Sequence, residues 1–227
     1  LIFLLTGMPC HAVELTNTKG QSLEATILLR IGDKVKIQLQ NGRQFTIPIS
    51  SLNKESQDKI EEWQAKKIKK LPEPFRISIG TYRENKQKSN SVSTNLQTYD
   101  SGYNVTVTNR TPMKMDDIRI EYILVMEEEI AGARSNSNAG MRSVKGEEKL
   151  KPMAQGRSVE FQTKTLSLRE SKLKPNWSYA NGGRENATDE LKGIWIKFYV
   201  GKTLVYEFSR PSNLAGSFKW DRPPNEQ

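Results

Sequence analysis

The sequence predicts a mainly β protein: a small barrel closed by its own helix, then a sandwich of seven strands. Three observations carry this reading. Apolar residues alternate with polar ones along much of the stretch from Val13 to Ile49, the period of half-buried strands. A charged stretch of helical spacing follows and stops before Pro72 and Pro74, residues that a helix interior does not accommodate. Beyond them, segments of β character are punctuated by Gly, Asn and Ser clusters, with no second helical pattern.

The opening run "LIFLLTGMPCHA" is apolar and then turns to small residues, with Cys10 and Ala12 at the small-residue places of a cut after Ala12. That is the end of a secretory signal pattern. Residues 1–12 are therefore expected to be a signal remnant, and the mature chain to begin at Val13 in an exported, periplasmic or extracellular protein. The run falls short of a membrane span, which takes about 20 apolar residues. Cys10 and His11 are the only Cys and His of the chain. Their removal leaves no thiol nucleophile, no imidazole base and no ordinary Zn or haem ligand. The expectation is a protein that is not an enzyme and carries no cofactor and no metal.

Residues 13–71 make the first unit. "VELTN" reads as a short strand and "TKGQ" as a turn. In "LEATILLRI", Leu23, Ala25, Ile27 and Leu29 share one face; in "KVKIQL", Val35, Ile37 and Leu39 alternate with Lys34, Lys36 and Gln38. Gly32-Asp33 turns the chain between them, and Asn41-Gly42 is a hairpin signal because both residues tolerate positive φ. Pro48 has no ladder donor and belongs at an edge or strand end. Asn53 is a good N-cap, and Ile60, Trp63, Ile68 and Leu71 give the following helix an apolar face to lay on the sheet. Trp63, on that stripe, is assigned to packing rather than to a ligand.

These residues resemble a known family. Gly20 with Ala25, "GDKVKI", "NGRQFTIPISSL" and then a polar helix are similar to the SLA1 homology domain 1, an SH3-like small barrel followed by a helix. The resemblance covers about a quarter of the chain and rests on structural motifs. The helix start, Asn53-Lys54-Glu55-Ser56, departs mildly from the family's serine followed by acidic residues. In exported bacterial proteins such a unit often stands ahead of an unrelated domain. In a eukaryotic endocytic adaptor it binds Asn-Pro-Phe peptides, whose contact residues do not map onto this chain.

Residues 72–74 link to a second unit, 75–210, with strands expected at 75–83, 102–109, 117–128, 141–150, 157–168, 192–200 and 202–209. In "DIRIEYILVMEE", Ile118, Ile120, Tyr122, Leu124 and Met126 share one face while Ile123 and Val125 make the other apolar, the mark of a central strand. Seven strands with turn signals suggest an immunoglobulin-like sandwich, held without a disulfide. The two units are expected to have separate cores. "RENKQKSNSVSTN" and "GARSNSNAG" read as long polar loops, and residues 211–227 as a tail.

Net charge is +9, spread along the chain. The one compact basic cluster is Lys66, Lys67, Lys69 and Lys70; it either complements the helix dipole or binds a polyanion. Trp177 and Tyr179 lie on a long loop, as a recognition pair or as a plug on the sandwich end. No phosphate-binding loop or dinucleotide fingerprint is present, and Gly182-Gly183 lacks its companions. Asp116-Asp117 and Glu127-Glu128-Glu129 lack calcium-loop spacing. The reading is an interaction or scaffold protein whose partner is a protein or a cell-surface polymer. The alternative is polyanion or carbohydrate binding through the basic surface or the Trp177/Tyr179 loop. Nucleic acid is disfavoured, because basic and aromatic residues do not interleave in one stretch.

Overall fold

The computed structural model of the chain describes residues 12–133 and 140–225. The expected signal remnant, with Cys10 and His11, and most of the "GARSNSNAG" loop lie outside the described residues. The protein is mainly β, built of three antiparallel sheets.

The first sheet is a meander of β1 (Val13–Thr16), β2 (Ser22–Ile31), β3 (Lys34–Leu39) and β4 (Gln44–Pro48), hydrogen-bonded in that order. Pro48 ends an edge strand, where its missing donor does no harm. The Asn41-Gly42 hairpin differs from its expected form. Only Gly42 has positive φ, and Leu39 N donates to Arg43 O at 2.9 Å; this is a longer turn closed by a glycine in the left-handed region. A 3-10 turn at Ile49–Ser51 leads to buried Leu52, and Asn53 caps α1 (Lys54–Lys69) by accepting from Ser56 N at 2.9 Å. Leu15, Ala25, Ile27, Val35, Ile37, Leu52 and Ile60 form this unit's core, with Trp63 half-buried against it.

One expectation fails within β2. A bulge between Ile27 and Leu29 inserts Leu28 and shifts the register. Ala25 and Ile27 still point inward, but Leu23 is 37% exposed and Leu29 turns to the larger unit. The bulge brings Arg30 into the buried phase.

The other two sheets share one core. β5 (Phe75–Asn90), β6 (Thr94–Asn109), β10 (Leu166–Leu173) and β11 (Asn186–Thr188) run in the order β11-β10-β6-β5, with β9 (Ser158–Gln162) also on β6. β7 (Ile118–Glu128), β8 (Gly140–Lys149), β12 (Glu190–Val200) and β13 (Thr203–Arg210) run β13-β12-β7-β8. As its pattern requires, β7 is central and buried on both faces: Ile118, Ile120, Tyr122, Leu124 and Met126 face the shared core, Ile123 and Val125 the back. The expected strand 157–168 is broken at Thr163, where three residues oppose two of β6 and Thr163 Oγ1 accepts from Tyr103 N at 2.9 Å. The expected polar loop at "RENKQKSNSVSTN" is instead the far end of the β5–β6 hairpin.

Two boundaries are corrected by packing. The cores do not separate at Leu71, because Ala65 and Ile68 of α1 join the larger core beside Phe75. The helix presents Ile60 to one unit and Ile68 to the other. Arg30 reinforces the joint: it is 6% exposed and donates to Gln64 Oε1 of α1 at 2.8 Å and to Asp117 Oδ2, just before β7, at 2.9 Å. Nor is the segment after Arg210 a loose tail. The short helix α2 (Leu214–Ser217) places Leu214, and beyond it Phe218 and Trp220, over Trp195, Ile123 and Val125. An apolar back face on β7 needs such cover.

Candidate functional site

The inward phase of β6 runs through Asn109, Val107, Val105, Tyr103, Ser101 and Tyr99, all buried. The same phase continues to Gln97 and Asn95, where the cover ends. There the sheet carries an open groove of about 530 Å³. Strand register arranges its floor in two rows. Lys88, Gln97, Glu170 and Thr188 stand side by side across β5, β6, β10 and β11; Asn90, Asn95, Lys172 and Asn186 stand beside them, one step along. Opposed residues of an antiparallel pair project to the same face, so the rows form one polar platform.

The platform depends on a bulge. β5 shifts register between Glu84 and Gln87, at Asn85, whose φ is +53° and whose side-chain amide donates to Asp100 Oδ2 at 2.8 Å. Without the extra residue, Gln87 and Ser89 would face the groove in place of Lys88 and Asn90. Glu170 is held in place by Gln97 Nε2 at 3.2 Å and Arg83 at 3.3 Å. Arg83 also lies over the ring of Tyr99, 4.3 Å from its centroid. The Tyr99 hydroxyl is buried beside the Glu170 carboxylate and has no partner at full hydrogen-bond geometry among the described residues. Burial first, and then the Glu170 carboxylate, push that phenol up to about 12.

The two aromatic residues singled out in the sequence part company. Tyr179 packs against the turn at Gly132, where an added Cβ would lie 3.1 Å from its ring, and is half-buried there. Trp177 is 49% exposed and lines a second groove of about 460 Å³ with Lys172, Lys174 and Glu185. Lys172 borders both grooves. The loop carrying Trp177 is tied to the β5–β6 hairpin tip, since Lys174 N donates to Ser93 O at 2.8 Å and Lys174 Nζ to Ser91 O at 2.6 Å.

The lysine cluster lies elsewhere. Lys66, Lys67, Lys69 and Lys70 are exposed at the end of α1, where they suit the helix dipole. Lys66 reaches Glu62 at 3.9 Å and Lys67 lies over Trp63, and none of the four lines the platform. Among the described residues no three His, Cys, Asp or Glu gather as a metal site, and no helix is long and apolar enough to cross a membrane. The platform residues escaped sequence reasoning because the β5–β6 hairpin and the β10–β11 pair that carry them are far apart in the chain; of the groove-lining residues only Trp177, beside the platform, stood out by its chemistry.

No family model matches the chain, and no curated protein matches it. Among solved structures, the Northeast Structural Genomics Consortium target SoR45 is 10% identical, with 60% of this chain and 85% of that one covered at a TM-score of 0.28. A protein from Akkermansia muciniphila is 11% identical, with 69% and 81% covered at 0.25. At those TM-scores neither likeness bears on fold or function.

Proposed function

We propose that the chain is an exported, non-enzymatic interaction protein that holds its ligand on the polar platform. In this reading the first sheet and α1 form an SH3-like barrel with its helix, of the SLA1 homology domain 1 type, and the larger sheets form an immunoglobulin-like sandwich. Export rests on the apolar run that ends at Ala12; β1 starts at Val13, the residue after the expected cut.

The observation that carries the binding role is the composition of the two rows. They present four amides, a hydroxyl, two ammonium groups and one carboxylate on a rigid sheet. Such a floor supplies donors and acceptors in fixed positions. Acid–base hydrolysis of a glycoside takes two carboxylates across a cleft, and Glu170 is the one carboxylate on the floor. The test is depletion of the purified protein by insoluble cell-envelope material. Wild type should be retained, and a Gln97→Ala/Lys172→Ala variant should stay in solution. Release of soluble product, lost in Glu170→Gln, would overturn the reading.

A further inference from the structure

We infer that the platform takes a glycan chain, read through its hydroxyl groups, with one sugar ring stacked on Trp177. This rests on the platform being the binding surface. Four strands span roughly 14 Å, since neighbouring strands lie about 4.8 Å apart, which leaves room for a short run of pyranose rings. Asn90, Asn95, Gln97 and Asn186 each offer a donor and an acceptor, the pairing that adjacent sugar hydroxyls require. Lys88 and Lys172 add donors, Glu170 an acceptor, and Thr188 either.

Other occupants fit less well. A protein partner needs an apolar, desolvated centre, and the groove is lined by amide, hydroxyl and charged side chains with Leu96 alone apolar. A polyanion needs an unbroken basic surface, whereas Glu170 stands within the first row with Arg83 already drawn to it. A hydroxyl-rich, largely uncharged chain meets neither objection. Its polar edges match the rows, and the apolar face of a ring matches the exposed Trp177 beside Lys172.

The experiment is affinity electrophoresis of the full chain in native gels cast with laminarin, hydroxyethylcellulose, soluble starch or galactomannan. Heparin and polygalacturonate serve as polyanion arms. Retardation by at least one neutral glycan is expected, little changed by salt. Trp177→Ala should weaken it about ten-fold or more, the loss of a stacked anchor at roughly 1.4 kcal/mol per decade, and Gln97→Ala should weaken it as well. Lys19→Ala, on a distant turn, should not. Circular dichroism of each variant separates lost binding from lost folding. Retardation by the polyanions alone, falling steeply with salt, overturns the inference, as does indifference to Trp177→Ala. No retardation by any glycan, with envelope retention still dependent on Gln97 and Lys172, overturns the glycan and leaves the platform. Loss of both overturns the platform itself.

Discussion

Replacing Arg30 with methionine tests the weld between the two units. The side chain is buried and leaves the first sheet to reach Gln64 and Asp117. Methionine keeps an apolar stem of similar reach and removes every donor. The losses are unequal. Gln64 is 1% exposed, so its carbonyl oxygen is left buried without a partner, a penalty of about 1–3 kcal/mol. The Asp117 side chain is 45% exposed and keeps Lys149 at 3.3 Å, so its share is about 0–1 kcal/mol. The total is roughly 1–4 kcal/mol, which for a chain of this size lowers the melting temperature by about 2–16 °C. Thermal unfolding followed by circular dichroism measures it. Adding Gln64→Leu should restore part of the loss, because the orphaned carbonyl goes with it. A drop below about 2 °C, or a double variant no better than the single, would refute the reasoning.

Two further outcomes follow from packing and burial. Tyr122 leans across its cross-strand partner Gly146, where an added Cβ would enter the phenol ring, and its hydroxyl accepts from Lys164 N at 2.8 Å; Gly146→Ala should cost about 1–3 kcal/mol by overpacking in urea unfolding, and an unchanged midpoint would contradict this. Burial is the largest cause holding Tyr82, Tyr99, Tyr103, Tyr122, Tyr199 and Tyr206 above the usual phenol range. The folded state keeps these protons longer than the unfolded chain does, so their contribution to stability is complete below about pH 10 and is lost as pH rises toward the folded values, about 12 for Tyr99. Tyr99→Phe should blunt the alkaline loss of stability, and phenolate absorbance should lag that of the urea-unfolded chain; coincident titration curves would show the burial argument to be mistaken.

What could be read from the sequence was what depends on neighbours. Asn53 caps its helix because a side-chain oxygen three residues from a free amide needs nothing else. β7 betrays its central place because both of its faces are apolar. What could not be read was phase. Each of the bulges at Leu28, Asn85 and Thr163 adds one residue to one strand and reverses which side chains face inward beyond it. A bulge has no fixed composition, so an alternation count carries straight through it. Alternation alone puts Leu23 and Leu29 on one face for that reason. The shared core was hidden differently: Ala65 and Ile68 lie on the same amphipathic stripe as Ile60, and a stripe does not say that two partners divide it.

The candidate site was hidden for the second reason taken to its limit. Residues 83–95 form a polar run with no apolar alternation to betray a strand, and the groove's two rows exist only once β5, β6, β10 and β11 are paired in register. Lys88 and Glu170 are ordinary surface residues until the sheet sets them two strands apart in one row. Conversely, "KKIKK" was conspicuous because it is contiguous, yet contiguity on a helix scatters side chains around its axis. Trp177 drew notice in the sequence because aromatic side chains on a long loop are the type that anchors partners. A binding face built on a sheet is thus recognised from register. Asn85 is the residue on which that register turns, since the phase shift beside it sets Lys88 and Asn90, rather than Gln87 and Ser89, toward the groove.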